Sequence, residues 1–111
     1  MLYGPTIGIY NGRHYQIRFN AFKHPCGYVR IEDEDIDILR NLAEHDWDTV
    51  NEYIAMHGGC TFVGQLSDEK GMWIGFDTNH CFDNKATRTI EFVKNECMYI
   101  IDQLLDLQKE K

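Results

Sequence analysis

The densest chemistry in the sequence is Asp77-Thr78-Asn79-His80-Cys81-Phe82-Asp83, a D-x-x-H-x-x-D spacing just past an expected strand end. Steps of three along a tight turn bring side chains to one side, so two carboxylates and an imidazole can converge. His57 stands in an earlier segment beside Gly58-Gly59, where missing side chains let the backbone pass close to a crowded site. Two imidazoles and two carboxylates are good ligands for zinc, and their two negative charges neutralise a divalent cation. Two other readings use the same stretch. A hydrogen-bonded His–Asp pair capping a turn accounts for these residues without metal. Cys60 and Cys81 are rival ligands, because thiolate binds zinc well. Each is adjacent in sequence to a proposed ligand, however, and neighbours in extended chain point to opposite faces.

Other constellations are weaker. A nucleophilic dyad of Cys81 or Cys60 with His57 lacks a recognisable oxyanion hole and a third orienting group. The sequence has no P-loop, no G-x-G-x-x-G and no H-E-x-x-H. His14, His24 and His45 have no partners at ligand spacing and read as surface histidines. The four cysteines, Cys26, Cys60, Cys81 and Cys97, form no C-x-x-C pair, so they are expected as free thiols in a reducing compartment.

The elements that must position the site follow from periodicity. Tyr15 to Phe19 alternates apolar and polar and reads as a strand; His24-Pro25-Cys26-Gly27 reads as a turn before a strand at Tyr28 to Ile31. Asp33-Glu34-Asp35 suits the first turn of a helix, with Ile38, Leu39 and Leu42 as its apolar face and Asp46-Trp47-Asp48 as its end. Val50 to Gln65 is expected to carry a strand interrupted by Gly58-Gly59. Ser67 to Gly71 is turn chemistry, and Met72 to Phe76 is the returning strand. A turn centred between Asp68 and Glu69 sets Val63 opposite Ile74 and His57 opposite His80. The spacing of Ile90, Val93, Cys97, Ile100, Ile101, Leu104 and Leu107 predicts a C-terminal amphipathic helix, with Lys109 and Lys111 at its end. The expected fold is therefore α+β: a small antiparallel sheet with a central hairpin, packed by the C-terminal helix, plus a short acidic helix.

Composition sets the bounds. The chain has 111 residues, 43% of them hydrophobic, which suits one globular domain over residues 1–111. No apolar run approaches the roughly 20 residues that span a bilayer. Met1-Leu2-Tyr3-Gly4-Pro5 carries no basic and apolar leader, so a cytoplasmic protein is expected. Net charge is −7, and residues 32 to 52 account for all of it, with nine acids against Arg40 alone. Such a patch repels nucleic-acid phosphates and attracts basic protein surfaces. Asp33, Glu34, Asp35, Asp37, Asp46 and Asp48 are its candidate partner-binding residues; a solvated helix face is the plainer reading.

Met56-His57-Gly58-Gly59-Cys60-Thr61-Phe62, Trp73-Ile74-Gly75-Phe76-Asp77, His80 and Asp83 together resemble a widespread family of small phage and prophage proteins. Cys26-Gly27-Tyr28-Val29 and, in part, Phe92 to Cys97 extend the likeness. At least one member looks like a type II anti-CRISPR metalloprotein, which binds zinc and blocks the RNA-guided nuclease. The resemblance implies His57, Asp77, His80 and Asp83 as zinc ligands, and argues against Cys60 and Cys81, whose places the family fills with Leu and Ala. This chain departs from the pattern at Thr78-Asn79, at Cys81-Phe82 and above all in the acidic stretch Glu32 to Glu52.

Two classes of function follow. The first is a non-enzymatic inhibitor, in the cytoplasm of an infected host bacterium, that binds a type II CRISPR effector nuclease around a structural zinc. Such nucleases keep basic channels for guide and target strands. A phage accessory protein with another host target belongs to the same class. The second is a small zinc-dependent hydrolase, with three protein ligands, a water and a nearby carboxylate base.

Overall fold

The computed structural model describes residues 6–66 and 69–110. Residues 1–5, the expected turn residues Ser67 and Asp68, and Lys111 lie outside them. Strands β1 (Thr6–Tyr10) and β2 (Arg13–Phe19) form an antiparallel hairpin. Its turn is Asn11-Gly12, with φ of 49° and 78°, the positive values that a two-residue type I′ turn needs and this dipeptide tolerates. β1 was not among the expected elements. Strands β3 (Pro25–Arg30), β4 (Phe62–Gly64) and β5 (Trp73–Phe76) complete an antiparallel sheet of order β1-β2-β3-β5-β4. The central hairpin keeps the expected register, with Val63 opposite Ile74. With the C-terminal helix laid across it, the fold is α+β as expected.

That helix, α3 (Ile90–Lys109), starts from Thr89, whose hydroxyl accepts from the Phe92 N–H at 3.0 Å. Its apolar stripe buries Val93, Cys97, Ile100, Ile101 and Leu104. The facing side of the sheet supplies Tyr15, Ile17, Val29, Val63, Ile74 and Phe76 to the same core. Gly27, expected in a turn, lies inside β3, because the Phe76 ring and Cys97 Sγ occupy the place of its side chain: a Cβ there would sit 2.6 Å from that ring. The reversal instead falls at residues 20–24, where Asn20 Oδ1 accepts from the Phe22 and His24 N–H groups. Pro25 then opens the strand, a position that does not need its missing N–H.

The acidic stretch departs most from expectation. Residues 33–35 form a turn, and α1 (Asp37–Arg40) is a single turn of helix. Leu39 and Leu42 are buried as expected, but Ile38 is exposed. Asp35, expected on the partner-facing surface, is buried at 1% exposure. Its Oδ2 accepts from Arg13 Nη2 at 2.5 Å and from the Glu32 N–H at 2.8 Å, charge-assisted bonds that offset part of the cost of burying the pair. Asp46 begins a helix rather than ending one. It caps α2 (Trp47–Tyr53) by accepting from the Thr49 N–H and hydroxyl, at 3.2 and 2.8 Å. The strand expected from Val50 thus shrinks to β4.

The buried Arg13–Asp35 pair fastens the acidic stretch to the sheet. Asp35→Ala strands a guanidinium in the interior and is expected to cost about 3–5 kcal/mol. Asp33→Ala, on the exposed side of the same turn, is expected to stay within about 0.5 kcal/mol of wild type. Urea unfolding of the two variants side by side checks both values.

Candidate metal centre

The site lies where two loops meet at one end of the sheet. β5 delivers Asp77 and the loop after it, and α2 leads through Ile54 and Met56 to His57. Asp83 is at the centre. Its Oδ1 lies 2.5 Å from His57 Nε2, and its Oδ2 lies 2.9 Å from His80 Nδ1. Oδ2 also accepts from the His80 N–H at 2.9 Å, while the Asp83 N–H donates back to the His80 carbonyl. The residues His57, His80 and Asp83 each offer one donor atom within 4.8 Å of the others. That spread suits atoms around one divalent ion bound at about 2.0–2.2 Å. The donor chemistry fits a metal, whose identity is a separate matter.

Asp77 is placed differently. Its Oδ2 accepts from the Thr61 hydroxyl at 3.1 Å and its Oδ1 from the Asn79 N–H at 2.9 Å. Oδ1 lies 3.7 Å from His80 Nε2, so His80 stands between the two carboxylates. The structure therefore draws three of the four expected ligands into one cluster and leaves Asp77 at its rim. Neither rival cysteine joins them: Cys60 is buried with its thiol donating to the Phe62 carbonyl, and Cys81 is exposed. Burial raises the Cys60 thiol above its ordinary value and pushes those of Cys26 and Cys97 up to about 11 and 12, which disfavours thiolate at all three.

Phenylalanines wall the imidazoles. Phe92 and Phe82 stand edge-on to His57 at 5.0 and 5.3 Å between ring centroids, and Phe82 stacks on His80 at 4.8 Å and 8°. Gly58 is required on two counts. Its φ is +68°, and a Cβ would fall 2.2 Å from the His80 ring. Several supports escaped the sequence reading. Glu96 accepts from the His57 N–H at 2.9 Å, and Gln103 pairs with both the N–H and the carbonyl of Ala55 at 2.7 Å. Asn51 accepts from the Cys60 N–H at 2.8 Å. The buried Thr78 hydroxyl donates to the Pro25 carbonyl at 2.9 Å, and Arg88 to the Thr78 carbonyl at 2.8 Å, pinning the 77–83 loop to β3. The only sequence signal for the α3 supports was that Glu96 and Gln103 lie seven apart, on one helix face beside the apolar stripe.

The acidic surface divides. Asp33, Glu34, Asp37 and Asp48 are exposed, Asp37 paired with Arg40; Asp46 is half-buried in its cap, and Asp35 is inside. No helix among the described residues is long and apolar enough to cross a membrane. The chain matches no family model, no curated protein and no solved structure.

Burial alone would raise the Asp83 pKa. Hydrogen bonds from the Thr87 hydroxyl, the His80 N–H and the two imidazoles outweigh it and hold the carboxyl well below the ordinary range. The sign follows by linkage. The unfolded chain takes up a proton at about pH 3.9, before the folded one does, so this contribution is whole above that value and is lost as pH falls toward the lower folded value. Metal-free Asp83→Asn is expected to be less stable at neutral pH, and to lose less stability between about pH 4 and pH 2 than wild type. Thermal melts in chelator across that range check it.

Proposed function

We propose that this protein is a small metal-stabilised binding module. Zinc held by His57, His80 and Asp83, with Asp77 completing the shell, ties the two loops together. The exposed acids Asp33, Glu34, Asp37 and Asp48 engage a basic protein surface. The observation that carries the reading is the convergence of two imidazoles on one buried carboxylate, fed from separate loops. Closing the two loops with a metal supplies folding free energy to a domain with a modest core. The resemblance at H-G-G and G-F-D-x-x-H-x-x-D supports, as the target, a type II CRISPR effector nuclease met in the cytoplasm of the infected bacterium. An acidic face of this kind suits the basic channel of such a nuclease, as inhibitor and not as enzyme.

The position of Asp77 favours a second reading, a small zinc hydrolase. Three clustered ligands leave room for water, and a carboxylate at the rim suits a general base. One pair of measurements separates the two. Under the binding reading, purified protein carries about one zinc per chain, and Asp77→Ala weakens zinc affinity at least about tenfold, as loss of a ligand should. Unchanged affinity in that variant takes Asp77 out of the shell, as the hydrolase reading requires, and zinc well below half an equivalent removes both readings.

The partner surface is tested separately. Reversing Asp33, Glu34 and Asp37 to Lys is expected to weaken capture and inhibition of a type II nuclease sharply, with zinc content unchanged. Added salt weakens the wild-type complex in parallel, since exposed charges are screened within about 10 Å at 0.1 M. A reversed protein that inhibits as well as wild type reduces the acids to a solvated face.

A further inference from the structure

The two edges of the sheet are treated differently. Along β4 the chain folds back, and the His45 N–H donates to the Val63 carbonyl at 2.9 Å. Along β1 no other described strand pairs with the outer side. Native edges are commonly blunted by charge, proline or a bulge. Thr6-Ile7-Gly8-Ile9-Tyr10 has none of these, and Ile7 and Ile9 are 62% and 64% exposed.

The hydrogen-bonding phase of β1 is set by its turn. A two-residue type I′ turn is flanked by a hydrogen-bonded pair, here Tyr10 and Arg13. Such pairs alternate along an antiparallel ladder, so Gly8 and Thr6 also bond toward β2. The N–H and C=O groups of Ile7 and Ile9 therefore point outward. Their side chains share the face of their register partners Gln16 and His14, opposite the residues that α3 covers.

The segment is also self-complementary. An antiparallel pairing with a two-fold axis at Gly8 sets Ile7 of one copy across from Ile9 of the other, twice. Both of those pairs fall in the hydrogen-bonded phase, so each can exchange two N–H···O bonds. Gly8 meets its counterpart at the close, non-hydrogen-bonded position, on the α3-covered face where the Tyr15 ring of its own chain already takes the place of a side chain. Four isoleucines then form one cross-strand cluster on the face away from α3, where Ile7 and Ile9 are exposed. The geometry points to β1 as the interface of a symmetric homodimer, in which two five-stranded sheets join edge to edge. The occupant is a second copy of this chain because the outward hydrogen-bond phase, the I-G-I symmetry and the absence of charge all match the strand to itself. A two-fold contact needs that self-complementarity. The strand is short, so the association is expected to be concentration-dependent rather than obligate.

Sedimentation equilibrium of the purified full chain, over a concentration series reaching the millimolar range, is the test. The expected result is a reversible shift from the 13.0 kDa monomer toward twice that mass. Ile9→Lys and, independently, Ile7→Lys are expected to raise the dissociation constant at least tenfold with unchanged circular dichroism, because both side chains lie outside the core. In the wild-type dimer the Ile7 and Ile9 amides are expected to gain protection from hydrogen exchange as concentration rises. A wild-type protein that stays monomeric throughout overturns the proposal. So does a dimer that survives both substitutions, or one that leaves those two amides unprotected.

Discussion

The Asp83 carboxylate is the point on which the rest of this end of the molecule depends. It is buried, and a buried carboxylate is tolerated only if its lone pairs are filled. Two imidazoles, a backbone N–H and the Thr87 hydroxyl fill them, and of these His57 alone comes from the other loop. The turn from His80 to Asp83, the approach of His57 and the phenylalanine wall are all arranged so that this charge has partners. Electrostatics here sets chain geometry. A divalent ion among the same atoms would replace hydrogen bonds by coordination without asking the backbone to move far.

The arrangement has a direction. β5 ends at Phe76, in the core, and the next residue that can leave the sheet is Asp77. The hairpin register that sets Val63 against Ile74 also aims the chain before β4 at the chain after β5. Site and core therefore share one constraint. A slip of one residue in that hairpin would turn Ile74 outward and part His57 from His80 at the same time.

Much of this was legible in the sequence, for identifiable reasons. The register of the central hairpin follows from the centre of its turn, the span of α3 from strong local periodicity, and the D-x-x-H-x-x-D step from spacing alone. What escaped reading depends on distant partners or on ambiguous chemistry. Asp46-Trp47-Asp48 can close one helix or open the next, and only the Thr49 side chain, bonded to Asp46, decides it. Asp35 looks like its acidic neighbours, and nothing near it in sequence reveals Arg13, 22 residues earlier. Gly27 reads as a turn glycine until the Phe76 ring that needs its space is in place. The Asn11-Gly12 dipeptide was a usable signal for β1 and its turn.

Gln103 does something that a ladder of strands would otherwise have to do. Its side-chain amide gives and receives one bond each with Ala55, as a peptide unit of a neighbouring strand would. The backbone at residue 55 is thereby saturated while belonging to no sheet, and the chain is free to bend away toward Gly58. The long helix acts as a one-residue surrogate strand, lending its amide where the sheet stops. A change at Gln103, two turns along α3 from the residue that holds His57, would thus reach the imidazole through the main chain, with no side chain of the cluster touched.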